Sequence, residues 1–204
     1  MVDHIEFLVE EPSMERTLIE VLPRILGDKS FRVYPFQSKQ DMLGKLSARL
    51  RAYAAWLPDN YRVVVVIDRD GDDCHNLKRI LEDTAIQAGL RTRTNSAGCD
   101  YQVVNRIAIE ELEAWFFGDW EAVCEAYPKM NPHVRSRQGF RDSDQISGGT
   151  WEALERLLRR AGYYKTGMPK VETAQNIAKR LDPTRNQSRS FQCFRQALED
   201  MIAG

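Results

Sequence analysis

Short apolar runs alternate with longer amphipathic segments in the first 118 residues of the chain. The strongest run is Val63-Val64-Val65-Val66-Ile67, and a second one occupies residues 5–9. A continuous run of β-branched residues is typical of a strand that is buried on both faces, in the middle of a parallel sheet. Pro35 favours an edge position for its strand, because proline has no backbone N–H to donate to a neighbouring strand. Further strands are predicted over 31–36, 91–94 and 102–109.

Helices are predicted between these strands, because apolar residues recur every three to four positions. The first helix begins after Pro12-Ser13, carries Leu18 and Leu22 on its apolar face, and ends at Gly27. Further helices are predicted over 41–57, 73–88 and 110–117. This alternation predicts an α/β fold with a mainly parallel sheet flanked by helices.

The pattern changes after residue 127. Residues 128–149 are rich in Pro, Gly, Ser, Arg and Asp, which predicts a long loop. Amphipathic helices follow over 151–161, 172–181 and 190–202. We therefore expect an α/β core at residues 1–127 and a basic, mostly helical C-terminal extension at residues 128–204.

The composition is that of a soluble globular protein. Of the 204 residues, 43% are hydrophobic and 29% are charged. No apolar run approaches the roughly 20 residues that a membrane-spanning helix needs, and the N-terminus lacks the basic and apolar pattern of a secretory signal. We expect a cytoplasmic protein without a membrane partner, whose four scattered cysteines are reduced thiols.

The net charge of −1 conceals an asymmetry. Residues 1–128 hold 15 basic and 22 acidic side chains, a balance of −7, whereas residues 129–204 hold 14 and 8, a balance of +6. An acidic half beside an arginine-rich half is what a nucleic-acid enzyme needs, although two ordinary solvated surfaces would also give this pattern. The candidates for contact with the nucleic-acid backbone are Arg135, Arg137, Arg141, Lys165, Lys170, Arg185 and Arg189.

Carboxylates gather where the two best strands end. Glu10 follows the strand at 5–9, and Asp68-Arg69-Asp70-Gly71-Asp72-Asp73 follows the strand at 63–67. Four acids so close together repel one another unless a cation or an arginine lies near them. Oxygen ligands of this kind bind Mg²⁺ or Mn²⁺, and Gly71 would permit a tight turn that brings Asp72 near the ion. The alternative is a solvated acidic turn that caps the next helix.

The order of these motifs resembles the Toprim domain of topoisomerases, DnaG-type primases and OLD-family nucleases. The matching segments are Leu8-Val9-Glu10-Glu11-Pro12-Ser13 and Val65-Val66-Ile67-Asp68-Arg69-Asp70, within a resemblance that covers roughly residues 4–118. One departure is Glu11, which stands where the family usually has glycine. The segment 107–116 is similar to the third acidic element of stand-alone Toprim-like proteins of bacterial defence systems. Lys165 and the segment 188–191 look like those of one domain-of-unknown-function group among them.

The resemblance implies a nuclease, or a nuclease subunit, that uses Mg²⁺ or Mn²⁺ to cleave phosphodiester bonds in DNA or RNA. It would act in a bacterial defence system with a separately encoded ATPase, since the chain has no phosphate-binding Gly-x-x-x-x-Gly-Lys loop. The implied catalytic residues are Glu10, Asp68, Asp70 and Lys165, the last as a stabiliser of the pentacovalent charge. The implied metal ligands are Glu10, Asp68, Asp70, Asp72, Glu110 and Glu113. The last two, three residues apart on one helix face, could hold a second metal.

Two other functions are open. Asp68-Arg69-Asp70-Gly71 also matches the motif of haloacid-dehalogenase-like phosphatases, in which Asp68 would be the nucleophile and Asp70 the acid/base. That motif normally follows the first strand of its fold, whereas two strands precede it here, and its later lysine and acidic pair are matched only loosely by Lys165 and by Asp142 and Asp144. The third hypothesis is a non-catalytic Toprim-like subunit that binds nucleic acid.

Overall fold

A computed structural model describes residues 2–97 and 100–203 of the chain. Its sheet consists of β1 (His4–Val9), β2 (Ser30–Pro35), β3 (Tyr61–Asp68) and β4 (Val103–Ala108). All neighbouring strands are parallel, in the order β2-β1-β3-β4. The prediction of an α/β fold with a parallel sheet is therefore confirmed, and the strand that contains Pro35 lies at an edge.

Three helices connect the strands, and five more follow β4. The connecting helices are α1 (Pro12–Leu26), α2 (Lys39–Trp56) and α3 (Cys74–Gln87). The later helices are α4 (Glu113–Gly118), α5 (Trp120–Ala126), α6 (Thr150–Arg160), α7 (Lys170–Ala178) and α8 (Arg189–Ala203). The long loop between α5 and α6 contains two short 3₁₀ turns, Val134–Ser136 and Ser143–Gln145.

The side chains of β3 divide between two apolar layers. Successive side chains of a strand point to opposite faces of the sheet. Val64 and Val66 accordingly join the core with α1 and the C-terminal helices. Val63, Val65 and Ile67 join a second core with α2 and α3. Helices thus cover both faces, which explains why this strand is apolar on both.

The C-terminal helices share the core of the first face with the sheet. The ring of Phe194 in α8 lies 6.4 Å from that of Phe7 in β1 and 5.1 Å from that of Trp115 in α4. α7 packs against α1, and α8 packs against both β4 and α1. Residues on either side of position 127 therefore contribute to one continuous apolar layer.

Two predicted elements differ from the structure. Residues 91–94 do not form a full strand, because Thr92 makes only an isolated bridge to Val103 and the Asn95 side chain turns back to accept the Thr92 N–H at 2.8 Å. The helix predicted over 110–117 begins only at Glu113. Glu110 has φ 59°, a left-handed conformation that precedes the helix, so Glu110 and Glu113 do not share a helix face as predicted.

Cys74, Cys124 and Cys193 are free thiols, and the expectation for Cys99 lies outside the described residues. Within residues 2–97 and 100–203, no helix is both long and apolar enough to cross a membrane.

Candidate functional site

Glu10 and Asp68 lie next to each other where the parallel strands β1 and β3 have their C-terminal ends. The register pairs Val9 of β1 with Val66 of β3, so the backbone leaves these two strands at neighbouring positions. The Oε2 atom of Glu10 accepts the backbone N–H of Asp68 at 3.0 Å. Glu10 is 8% exposed and Asp68 is 2% exposed. The convergence that the two strand-end motifs predicted is therefore present, and it is buried.

Glu113, at the start of α4, is a third buried acid close to this pair. Asp68 alternates onto the same face as Val64 and Val66, whose apolar core also contains residues of α4 and α7. The first residue of α4, Glu113, is 1% exposed and its charge acts on Asp68. Glu10, Asp68 and Glu113 are called the buried acid cluster below.

Burial disfavours the charged form of all three carboxyls. It raises the pKa of Glu10 to about 7, against the hydrogen bond from the Asp68 backbone, which lowers it. Burial also raises the pKa of Glu113 to about 7, although the positive charge of Lys170 opposes this. Burial, followed by the charges of Glu10 and Glu113, holds the pKa of Asp68 well above its usual range.

Two oxygens of the buried acid cluster have no hydrogen-bond partner among the described residues. They are Oδ1 of Asp68 and Oε2 of Glu113, both without accessible surface. A buried carboxylate oxygen without a donor is costly, and such oxygens usually face a proton, a water molecule or a metal ion. A carboxylate oxygen without a donor has the chemistry that hard divalent cations such as Mg²⁺ and Mn²⁺ prefer.

Lysines hold the acidic side chains at the rim of the cluster. The Nζ atom of Lys39 lies 2.7 Å from Oδ2 of Asp70 and 2.9 Å from Oδ2 of Asp72. The Nζ atom of Lys170 lies 2.6 Å from Oε1 of Glu11. Burial opposes the charge of Lys170, but Glu113 and Glu11 together raise its pKa. Both lysines therefore remain charged next to the acids.

The six predicted metal ligands fall into two sets. Glu10, Asp68 and Glu113 are buried together, whereas Asp70, Asp72 and Glu110 are held in ion pairs, the last with Arg69. Within residues 2–97 and 100–203, no group of three acidic, histidine or cysteine side chains is placed to hold a metal ion.

The turn after β3 is made by Asp70 and not, as expected, by Gly71. Asp70 has φ 50°, and the facing residue Glu110 has φ 59°, whereas Gly71 is not in the left-handed region. The Asp70 N–H donates to the Glu110 carbonyl at 2.7 Å, which ties the ends of β3 and β4 together. Left-handed residues other than glycine often mark functional sites, where the surrounding structure compensates their strain.

The predicted basic residues occupy different environments. Lys165 is exposed, and the lysine that meets the acids is Lys170. The Arg185 guanidinium binds the buried carboxylate of Asp119, with its Nε 2.7 Å from Oδ1, and it also pairs with Glu121. Arg135 donates to the carbonyls of Gly118 and Arg141 and to the Gln187 side chain. Arg137, Arg141 and Arg189 are exposed.

The segment 188–191 anchors the start of α8. The Ser188 hydroxyl donates to Oδ1 of Asp144 at 2.7 Å and accepts the Phe191 N–H at 3.2 Å, as a helix cap does. Asp144 also accepts the Ser190 N–H at 2.9 Å. The carboxylate of Asp144 is thereby engaged in holding a helix, which counts against its role as a late phosphatase acid.

Sequence reasoning missed Lys39 and assigned Lys170 to the nucleic-acid surface. Lys39 is the first residue of the helix that follows β2. Because residues that follow parallel strands meet at one edge, that position was the available signal. The pairing of Lys170 with Glu11 had no comparable signal, since α7 reaches the site only through tertiary packing.

Comparison with known proteins identifies the family and the fold. The model of the domain of unknown function DUF4276 matches residues 9–199. The chain belongs to the DUF4276 family. Among solved structures, this DUF4276 protein is similar to the C-terminal region of the Burkholderia pseudomallei OLD protein, with a TM-score of 0.53 and 17% identity over 97% of this chain and 99% of that chain. The predicted Toprim-like fold is thereby confirmed. No curated protein matches the chain by sequence.

Proposed function

We propose that this DUF4276 protein hydrolyses phosphodiester bonds of nucleic acid with a divalent cation, Mg²⁺ or Mn²⁺, held at the buried acid cluster. The observation that carries the proposal is the pair of buried, unpartnered oxygens, Asp68 Oδ1 and Glu113 Oε2, beside Glu10. Uncompensated buried carboxylates are strongly unfavourable, and a bound cation would compensate their charge above the pH at which protons do so.

The residues divide the chemistry between them. Glu10, Asp68 and Glu113 would hold the ion, and Asp70, Asp72 and Glu110 lie ready at the rim. When bound, such a cation polarises a phosphoryl oxygen and lowers the pKa of a coordinated water molecule. Lys170 and Lys39 carry positive charge beside the acids, where they would bind the phosphate and offset its charge. A carboxyl with a pKa of about 7, such as that of Glu10, can exchange a proton near neutral pH.

The C-terminal extension would bind the nucleic-acid backbone. Residues 129–204 carry a balance of +6. Arg137, Arg141, Lys165 and Arg189 are exposed and available for phosphate, whereas Arg135 and Arg185 are bound to groups of the protein itself. In this proposal residues 1–127 hold the cation and residues 128–204 hold the strand.

The likeness to part of an OLD protein supports a setting for this activity. The chain would act in the cytoplasm, in a bacterial defence system, with a separately encoded ATPase as its partner. Association with such an ATPase would supply the nucleotide-driven step that this sequence, without a phosphate-binding loop, does not provide.

Cleavage of nucleic acid tests the proposal. Plasmid DNA and a structured RNA are incubated with wild type, Glu10→Gln, Asp68→Asn and the control Glu172→Gln, which alters an exposed acid of α7. We expect Mn²⁺- or Mg²⁺-dependent cleavage by wild type and control, and a loss of about 100-fold or more in the other two. Equal cleavage in the presence of EDTA would refute the requirement for a metal ion. Turnover of a small phosphate ester that survives Glu10→Gln but not Asp68→Asn would favour the phosphatase.

Binding of the ion is measured separately, because an absent partner could silence cleavage. Mn²⁺ should raise the melting temperature of wild type and of Glu172→Gln, but not that of Asp68→Asn. An equal rise in all three proteins would place the ion elsewhere.

A further inference from the structure

A cavity of about 600 Å³ opens beside β4, the strand at the sheet edge, next to the site. Its lining comes from the start of α3, the end of β4 and the start of α8. Arg69 and Glu110 also line it, and Arg69 directly follows Asp68 of the buried acid cluster. The cavity wall therefore begins one residue after Asp68 along the chain, although the acids of the cluster do not themselves line it.

Part of the cavity wall is apolar. Ile107 of β4, Ile109 just after it, Cys74 of α3 and Cys193 of α8 contribute to the lining. The volume falls within the range of roughly 300–1,000 Å³ that is usual for small-molecule sites. Such walls accept a flat, weakly polar group, such as a nucleobase.

The cavity also contains guanidinium groups that lack an acidic partner. Arg106 donates only to backbone carbonyls, to that of Cys193 at 3.2 Å and to that of Asn105 at 2.9 Å. Arg189 is exposed and forms no ion pair within the described parts of the chain. The buried Nε of Arg69 has no acceptor, although its terminal nitrogen pairs with Glu110. Guanidinium groups in this state are suited to a phosphate.

The negative charges of the cavity are already bound to donors of the protein. Asp144 accepts hydrogen bonds from Ser188 and Ser190. Asp142 accepts them from the Asp144 N–H and the Gln145 side chain. Glu110, the third acid of the lining, is paired with Arg69. Arg106 and Arg189 therefore have no acidic partner among the described residues, and a ligand that meets them should be anionic.

We propose that this cavity binds one nucleotide of the substrate strand, with its base between the apolar walls and its phosphate at Arg106 and Arg189. The inference rests on the proposed nuclease function, because it supplies the substrate next to the scissile bond. A purely apolar ligand would leave the arginines without a partner, and phosphate alone would leave the apolar walls uncovered.

Thiol protection tests the site in the unaltered protein. Cys193 lines the cavity, whereas Cys124 in α5 does not. In EDTA, thymidine 5′-monophosphate and a hexathymidylate should slow the labelling of Cys193 by a maleimide about tenfold, with Cys124 as the internal control. Inorganic phosphate alone should protect much less. Equal labelling with and without nucleotide, or equal protection by phosphate alone, overturns the inference.

Variants extend the test to binding of the strand. Arg189→Gln, Arg106→Gln and Cys193→Trp, which fills the cavity, should each weaken hexathymidylate binding in EDTA about tenfold. The control Arg156→Gln alters an exposed arginine of α6 and should bind like wild type. Unchanged affinity in Arg189→Gln and in Cys193→Trp contradicts the assignment, whatever Arg106→Gln does to folding.

The two proposals can fail separately. Asp68→Asn should lose cleavage and keep nucleotide protection of Cys193, because the binding assay contains no metal. Cleavage by wild type without protection of Cys193 would support the nuclease function and contradict nucleotide binding in the cavity. Protection of Cys193 without metal-dependent cleavage and without a Mn²⁺-induced rise in the melting temperature of wild type would support the nucleotide site and contradict the catalytic role.

Discussion

The substitution Glu10→Gln should stabilise the metal-free protein at alkaline pH. Glutamine has nearly the same shape and can still accept the Asp68 N–H through its side-chain oxygen. It removes a negative charge that lies next to the carboxylate of Asp68. The usual outcome, that loss of a buried polar contact destabilises a protein, is therefore reversed here.

The size and sign of this change in the free energy of unfolding follow from the pKa of Glu10, which burial raises from 4.5 to about 7. Between these values the folded state binds more protons than the unfolded state, so the free energy of unfolding falls as the pH rises through this window. Each pKa unit corresponds to about 1.4 kcal/mol, and screening by solvent leaves a cost of about 2 kcal/mol at pH 8. Below pH ~4.5, where both states are protonated, the cost disappears.

Thermal unfolding in EDTA measures the effect. For a chain of this size, about 2 kcal/mol corresponds to a rise of roughly 4–8 °C in melting temperature. We expect this rise for Glu10→Gln at pH 8 and little difference from wild type at pH 4.5. Glu172→Gln, in which an exposed acid is replaced, should match wild type at both pH values.

A lower melting temperature of Glu10→Gln at pH 8, or the same shift at both pH values, would refute the reasoning. In either case the carboxylate of Glu10 would be compensated in the metal-free protein. The argument for a cation at the buried acid cluster would then lose its energetic basis.

Three further substitutions, the first two each with a matched control, test packing and charge in the chain. Gly118→Ala would push its methyl group into the loop before α8, and it should lower the free energy of unfolding, measured in urea, by about 2 kcal/mol or more. Its control Gly44→Ala, which has open space around the added methyl group, should raise that free energy by about 0.5–1 kcal/mol. Lys170→Met should reduce both cleavage and melting temperature, because it leaves Glu11 without its counter-ion. Its control Lys165→Met should weaken only the binding of nucleic acid, measured in a salt titration. Arg185→Met should cost about 3 kcal/mol in the same urea assay, since it strands a buried carboxylate, and wild-type stability would show that this arginine is free for nucleic acid.

Local patterns determined much of the architecture. The run at 63–67 is apolar at every position because helices cover both faces of its strand. The carboxylates of Glu10 and Asp68 could be expected to meet, because each follows a strand and parallel strands share their carboxyl edge. These features depend on residues close in sequence, and hydrophobic periodicity records them directly.

Only the tertiary structure decided which charges the site contains. Lys170 and Glu113 approach the acids that follow β1 and β3 because α7 packs against α1 and α4, and no spacing in the chain encodes this meeting. The left-handed turn at Glu110, which separates it from Glu113, likewise depends on the backbone contact with Asp70. The sequence determined that acids would gather at one edge, because strand order and periodicity are local properties. Which acids are buried, and which are neutralised by lysine, depends on packing between segments far apart in the chain.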